Sequence, residues 1–306
     1  MTVISFGSIN MDLVVKTPRF AKPGETLNGL DFYTAPGGKG ANQVVAAGRL
    51  GADSLMFGRV GNDLFGNDLL KNLQKNNVKI DGIKKDDSLP TGTALITVDE
   101  HAENTIIIVQ GANGAVDVND AKDLAPFFKG AQILLLQLEI PLESVILAAK
   151  LAKENGVKVL LDPAPARELP DELLQMCDFI TPNETETEII TGIKIKDFED
   201  AKRAAVTLLN RKVGAAIIKM GSAGSYYFDG TNSIKFTGYK VDAVDTVAAG
   251  DAFNGGFAAA FSEGKPLKEC LKWANACGAL STTKPGAQPS MPTCKELLEF
   301  IEKYPR

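Results

Sequence analysis

Ile133-Leu134-Leu135-Leu136-Gln137, then Leu142 to Asn155, then Val157-Lys158-Val159-Leu160-Leu161: this stretch decides the fold class. A short apolar run, a longer run of helical period and a second apolar run follow one another. Strands that are apolar throughout are buried on both faces, and a helix between two of them makes a βαβ unit of a parallel sheet. The alternation continues downstream with a strand at Phe179–Thr181, helices at Glu184–Thr191 and Phe198–Arg211, and a strand at Ala215–Lys219. Upstream, the pattern predicts a strand at Val3–Phe6, a helix at Val44–Leu50, a strand ending at Gly58-Arg59-Val60-Gly61 and a helix at Leu64–Asn76. An α/β domain with a mostly parallel sheet is the expectation. Extended runs at Leu13–Lys16 and Thr26–Thr34, with a hairpin of Thr93–Val98 and Thr105–Val109 about the turn 99–104, predict a small second sheet.

Composition removes several classes. The chain has 306 residues, 33 basic against 38 acidic, for a net charge of −5. No basic stripe suggests nucleic acid as a partner, and no apolar run is long enough for a bilayer, so no membrane partner is expected. The first fifteen residues read as a strand, without a charged leader. Cys177, Cys270, Cys277 and Cys294 have no paired short spacing, which predicts neither a zinc site nor a disulfide framework and points to a reduced, cytoplasmic enzyme. The one histidine, His101, lies between Glu100 and Glu103 in a polar turn. A catalytic base would therefore be a carboxylate, lysine, cysteine or tyrosine.

Polar residues gather just past the predicted strands: Asn10 and Asp12, Glu139, Asp162, Asn183 to Glu186, and Lys219 to Gly224. Open α/β sheets bind ligands at these carboxyl ends, so one crevice should receive them all. Asn183 with Glu186 three residues on also reads as a capping box. Gly37-Gly38-Lys39-Gly40-Ala41-Asn42-Gln43 is not a P-loop, because glycine rather than serine or threonine follows the lysine. It is a glycine-lined helix start open to a small polar ligand. Asp245-Thr246-Val247-Ala248-Ala249-Gly250-Asp251 runs as a loop into a second such helix, anchored by Phe253, Phe257 and Phe261 at every fourth residue. Its first N–H groups lack partners and lie at the positive end of the macrodipole, where a phosphate would bind. Asp251 stands in that first turn; an aspartate there also suits the dipole without any ligand.

Four stretches carry a resemblance: Gly38-Lys39-Gly40-Ala41-Asn42-Gln43, Pro182-Asn183-Glu184-Thr185-Glu186, Asp245 to Asp251, and Lys284-Pro285-Gly286-Ala287-Gln288-Pro289-Ser290. With them the whole chain resembles the ribokinase family of carbohydrate and nucleoside kinases, of the phosphofructokinase B type. The resemblance implies a three-layer αβα sandwich, read as a single domain over 1–306, with a β-sheet lid inserted at about 12–35 and 91–109. It implies ATP-dependent phosphorylation of D-ribose at O5 to ribose 5-phosphate. Asn10, Asp12, Gly38, Lys39, Gly40, Ala41, Asn42, Glu139 and Asp251 match sugar-holding positions, and Asp251 the general base. Ala248, Ala249 and Gly250 match the anion hole. Asn183, Lys219, Met220, Gly221, Ser222, Ala223, Gly224, Gly250 and Asn275 match nucleotide contacts.

Asp245, Val247, Ser281, Lys284, Gly286 and Ser290 match loops that wrap an activating potassium ion, while Glu186 matches a contact to Mg²⁺ through water. Mg²⁺ itself would arrive with ATP. A homodimer paired through the lids is also implied. Similar enzymes usually carry Thr or Ile at Val247, often Gly at Ala248, in some cases Thr at Lys219 and often Lys at Pro285. The rivals are a kinase for another sugar or a nucleoside, as in fructokinases and adenosine kinases, and a non-catalytic sugar binder, which would have no use for Asp251.

Overall fold

The computed structural model describes residues 2–101 and 103–305; Met1, Arg306 and Ala102, which falls in the predicted turn 99–104, lie outside the described residues. In chain order the strands are β1 Thr2–Phe6, β2 Asn10–Lys16, β3 Asp31–Gly37, β4 Asp53–Gly61, β5 Val78–Asp86, β6 Gly92–Val98, β7 Asn104–Val109, β8 Ala131–Leu136, β9 Lys158–Leu161, β10 Phe179–Ile180, β11 Ala215–Lys219, β12 Gly224–Phe228 and β13 Ser233–Thr237. The α-helices are α1 Lys39–Arg49, α2 Leu64–Lys75, α3 Val118–Lys122, α4 Leu142–Glu154, α5 Asp171–Leu174, α6 Glu184–Thr191, α7 Phe198–Asn210, α8 Ala249–Ser262, α9 Leu267–Ser281 and α10 Cys294–Lys303.

The large sheet runs β13-β12-β11-β10-β9-β8-β1-β4-β5. From β11 to β5 every pairing is parallel, and β12 and β13 close one edge antiparallel. Alternation along each strand divides the core. Val3, Ile133, Leu135 and Ile217 face a cluster shared with α1, α8 and α9. Ile4, Leu134, Leu136 and Ile218 face the cluster of α4 and α7. This is a three-layer αβα sandwich. Between β1 and β8 the chain reverses its direction of growth across the sheet, so the two strand ends diverge into a crevice there. Segments β3-β2-β6-β7 form the separate small sheet, with β2 and β6 parallel and the other pairs antiparallel.

Two segments depart from the sequence reading, and a third follows it. Helix α1 begins at Lys39, five residues before the predicted Val44. Gly38 caps it at φ 87, and a Cβ on Gly40 would come within 2.8 Å of Gly7 backbone, so the glycines let this helix start press onto the turn after β1. Strand β3 occupies Asp31–Gly37 rather than 26–34, in register with all of β2. Helix α8 starts at Ala249, with Ala248 before it in the left-handed region at φ 59, where alanine is held against a steric cost of about 1–2 kcal/mol.

Helix α8 lies between α1 and α9 at distances only glycine permits. A Cβ on Gly255 would stand 2.4 Å from Ala46 Cβ and 2.5 Å from Gln43 O, and one on Gly256 would stand 2.8 Å from Cys277 Sγ. Phe257 is fully buried and Phe253 nearly so, with Phe257 stacked on Phe261 at 6.0 Å. Substituting Gly255→Ala forces α1 and α8 apart, which should cost about 1–3 kcal/mol. The check is a lower urea midpoint with an unchanged m-value.

Candidate active site

Helix α1 brings Asn42 and Gln43 to the first turn of α8. Asn42 Nδ2 donates to Asp251 Oδ2 at 3.0 Å, and Gln43 Nε2 donates to Asp251 Oδ1 at 3.0 Å. Each amide is oriented by a further bond. Gln137, just past β8, donates Nε2 to Gln43 Oε1 at 2.8 Å, and Gln288 donates Nε2 to Asn42 Oδ1 at 3.1 Å. Gln43 Nε2 also reaches Asp162 Oδ2 at 2.9 Å, at the end of β9. Lys219, the last residue of β11, closes the row by donating Nζ to Asp162 Oδ1 at 2.8 Å. Polar groups from β8, β9, β11, α1 and α8 thus meet at one edge of the sheet.

The sugar-holding candidates flank this row. Ser8 Oγ donates to Glu139 Oε2 at 2.5 Å, and Lys39 N–H donates to the same oxygen at 3.2 Å. Asn113 Nδ2 donates to Asn10 Oδ1 at 2.7 Å and so fixes the Asn10 amide. The Asp12 carboxylate lies directly over Gly37, where a Cβ would fall 2.3 Å from Oδ2. Gly38, Gly40 and Ala41 form the floor at the start of α1.

Charge in this crevice is dominated by acids. Burial raises the Asp12 carboxyl to about 7, helped by the neighbouring charges of Glu139 and Asp251 and opposed by Lys39. Burial likewise raises Asp251; Lys39 opposes that shift, Asp162 adds to it, and the two amides oppose it again. For Lys39, burial alone would favour the neutral amine, but Asp251, Glu139, Asp162 and Glu186 together outweigh it and hold the ammonium above its ordinary value. A carboxylate whose proton affinity is raised and whose oxygens are fixed is suited to accept a proton.

The helix start beside it suits an anion. No side chain caps α8, so the Gly250 and Asp251 N–H groups are left by helix geometry without an intrahelical acceptor. Ala249 N–H donates to Thr246 O at 3.3 Å, which leaves Gly250 the better placed of the predicted anion-hole donors. The turn after β11 carries Met220, Gly221, Ser222 and Ala223. It returns through Gly224 at φ 107, where a Cβ would stand 1.9 Å from Phe236 O and only glycine fits. Asn275, on α9, donates Nδ2 to Ser225 Oγ at 2.8 Å, next to that turn.

Asn183 and Glu186 form the capping box of α6. Glu186 N–H donates to Asn183 Oδ1 at 2.8 Å, Asn183 N–H to Glu186 Oε2 at 2.8 Å, and Asn183 Nδ2 to Glu186 Oε1 at 3.0 Å. Burial and then Asp162 raise Glu186, which faces the same crevice charges. Among the described residues no cluster of three or more His, Cys, Asp or Glu could hold a metal by itself. Asp245 ties two loops together, accepting from Val247 N–H at 2.9 Å and Gly286 N–H at 2.8 Å. Ser281 and Ser290 bond to nearby carbonyls, while Lys284 pairs with Glu296.

Sequence reasoning did not assign roles to Gln43, Asp162, Gln137, Gln288 and Asn113. The strand-end rule puts Asp162 in the crevice without a role, and Gln137 ends the predicted strand Ile133–Gln137. Gln288 lies in the fourth resembling stretch, but nothing local marks its bond to Asn42, or that of Asn113 to Asn10, because both partners are far away in the chain.

A model of the pfkB family of carbohydrate kinases matches residues 2–294. The chain is 42% identical over 301 residues to ribokinase of Haemophilus influenzae, with 98% of each chain covered. It is 36% identical over 302 residues to a deoxyribokinase of Salmonella typhimurium, covering 98% of this chain and 99% of the relative. Arabidopsis thaliana ribokinase complexed with ribose and ATP superposes with a TM-score of 0.93 at 36% identity, covering 98% of both chains. Sheet order, crevice and relatives agree: the chain belongs to the pfkB family of carbohydrate kinases and is a phosphotransferase.

Proposed function

We propose that this kinase transfers the γ-phosphoryl group of ATP to O5 of D-ribose, with Asp251 as general base. The observation that carries the reading is Asp251 itself, buried in the first turn of α8 with both oxygens held by α1 and the uncapped Gly250 N–H beside it. Asp251 takes the O5 proton as O5 bonds to the γ-phosphorus, and the bridging bond to ADP breaks. Asn10, Asp12, Asn42, Glu139 and the Gly38–Ala41 backbone orient the sugar. Gly250, with Ala248 and Ala249, faces the phosphoryl oxygens; one such donor is worth about 3 kcal/mol of barrier.

Asn183, the 219–224 turn and Asn275 hold the nucleotide. Mg²⁺ bound with ATP offsets phosphate charge, and Glu186 would hold it through water. The donor fits in kind, because Glu186 is a carboxylate and its partner Asn183 is a proposed nucleotide contact. The loops joined by Asp245 are the proposed potassium site, built mainly of backbone carbonyls. The whole chain works as one unit, with the β3-β2-β6-β7 sheet as a lid over the sugar.

The lid exposes Phe32, Leu95, Ile106 and Ile107, each at least 43% accessible. Strands β3 and β7 are its open edges, which a stable protein covers. A second copy of this chain is the proposed cover. Four unpaired cysteines suit a reducing cytoplasm, and no helix among the described residues is long and apolar enough to cross a membrane.

Asp251→Asn should lower kcat by about 10²–10⁴-fold with little change in the sugar KM. In the parent enzyme, kcat/KM should fall as pH drops through about 7, where free Asp12 gains its proton. The kcat limb should reflect Asp251 and lie above the ordinary carboxylate range of about 4. In a coupled ADP-release assay over ribose, 2-deoxyribose, fructose and adenosine, ribose should lead and potassium should raise its turnover; preference for another acceptor would overturn the substrate assignment. Sedimentation should give a dimer that Ile107→Asp converts to monomer.

A further inference from the structure

Lys219 belongs to the turn proposed to hold the nucleotide, yet the reaction as described gives its nearly buried ammonium no specific contact. Its side chain is 11% exposed and paired at 2.8 Å with Asp162, itself 3% exposed. A Cβ on Gly250 would stand 3.1 Å from Lys219 Nζ and 3.8 Å from Cε. The ammonium therefore lies against the second residue of α8, beside the uncapped N–H groups. An ammonium has three donors, and among the described residues Asp162 is the acceptor that its Nζ reaches. Two donors remain without a hydrogen-bonded acceptor among the described residues, and Glu186 lies near enough to feel the ammonium's charge. Lys39, the other buried lysine, belongs to the sugar side, where its N–H bonds Glu139.

We propose that Lys219 is a catalytic residue that grips the γ-phosphoryl oxygens during transfer. The proposal deepens the phosphotransfer reading above and rests on it. The ammonium stays protonated throughout: the O5 proton goes to Asp251, the electron pair of the broken bond goes to ADP, and Lys219 only donates hydrogen bonds. Its placement is coupled to the base, because Asp162 accepts from Lys219 on one oxygen and from Gln43 on the other, and Gln43 also donates to Asp251. Proton acceptor and phosphoryl cation are thus two ends of one row, Asp251–Gln43–Asp162–Lys219. Gly250 carries no side chain, and a Cβ there would press on the ammonium from 3.1 Å. Charge accumulating on transferred phosphoryl oxygens is what a fixed cation at this point would stabilise.

A purely structural lysine, present only to neutralise Asp162, is the rival, and two variants separate them. Lys219→Met removes the cation. Lys219→Met with Asp162→Asn removes both charges and keeps an oxygen to accept from Gln43. Calorimetry with Mg·ADP and with the non-hydrolysable Mg·AMP-PNP reads the γ-contact without any sugar, so it reports on Lys219 even if ribose proves not to be the acceptor. Both variants should weaken AMP-PNP about tenfold more than they weaken ADP, and lose about 10²–10³-fold in kcat on the best acceptor. Equal weakening of both nucleotides, weakening of neither, or parental turnover in the double variant would overturn the assignment. A melting temperature for the double variant close to that of the parent confirms that the comparison is between folded proteins.

Discussion

Close approach of α1 to α8 is the constraint on which the site depends. Gly255 has no side chain, and that lets the two helices meet at a distance where Asn42 and Gln43 both reach Asp251. A buried carboxylate without such partners would be strongly disfavoured. The amides make it tolerable while leaving its proton affinity raised. Their own orientations are set by Gln137 and Gln288, so neither amide can turn its oxygen toward the acid without losing a bond. Asp251, the proposed base, is therefore held by α1 against its own helix α8.

The distribution of charge separates two tasks. Asp12, Glu139 and Asp251 gather on the side where hydroxyl groups would be bound, and acids are good acceptors for hydroxyl donors. The same acids would repel a phosphate. In the proposed reaction, phosphate oxygens would instead face the start of α8 and Lys219, whose pairing with Asp162 keeps it near that start. Lys39 lies among the acids and holds their mutual repulsion in check. The crevice thus offers surfaces of opposite electrical character to the hydroxyls and phosphates of the proposed substrates.

Much of this architecture was legible before any coordinates. The runs at Ile133–Gln137 and Val157–Leu161 are apolar on both faces because β8 and β9 lie in the middle of the sheet. Less was visible where glycine makes the backbone ambiguous. Gly37 to Gly40 reads as a glycine-lined lead into a helix at Val44, yet α1 begins at Lys39 because Gly7 allows the helix start to settle on the turn after β1. Strand β3 moved toward Gly37 because its register follows β2, and no feature within 26–34 encodes that pairing. The antiparallel edge formed by β12 and β13 is also a matter of pairing rather than of local pattern.

The sequence by itself determined the layered α/β class, the polar punctuation at strand ends, and the presence of an aspartate in the first turn of a side-chain-poor helix. These are local properties, written in period, spacing and residue type. Only the tertiary structure decided which amides hold that aspartate, which acid anchors Lys219, and which way each amide points. Those bonds join residues such as Asn42 and Asp251, 209 positions apart, or Gln288 and Asn42, 246 apart. A hydrogen bond depends on distance and angle in space, and no pattern along the chain specifies either until the helices have packed.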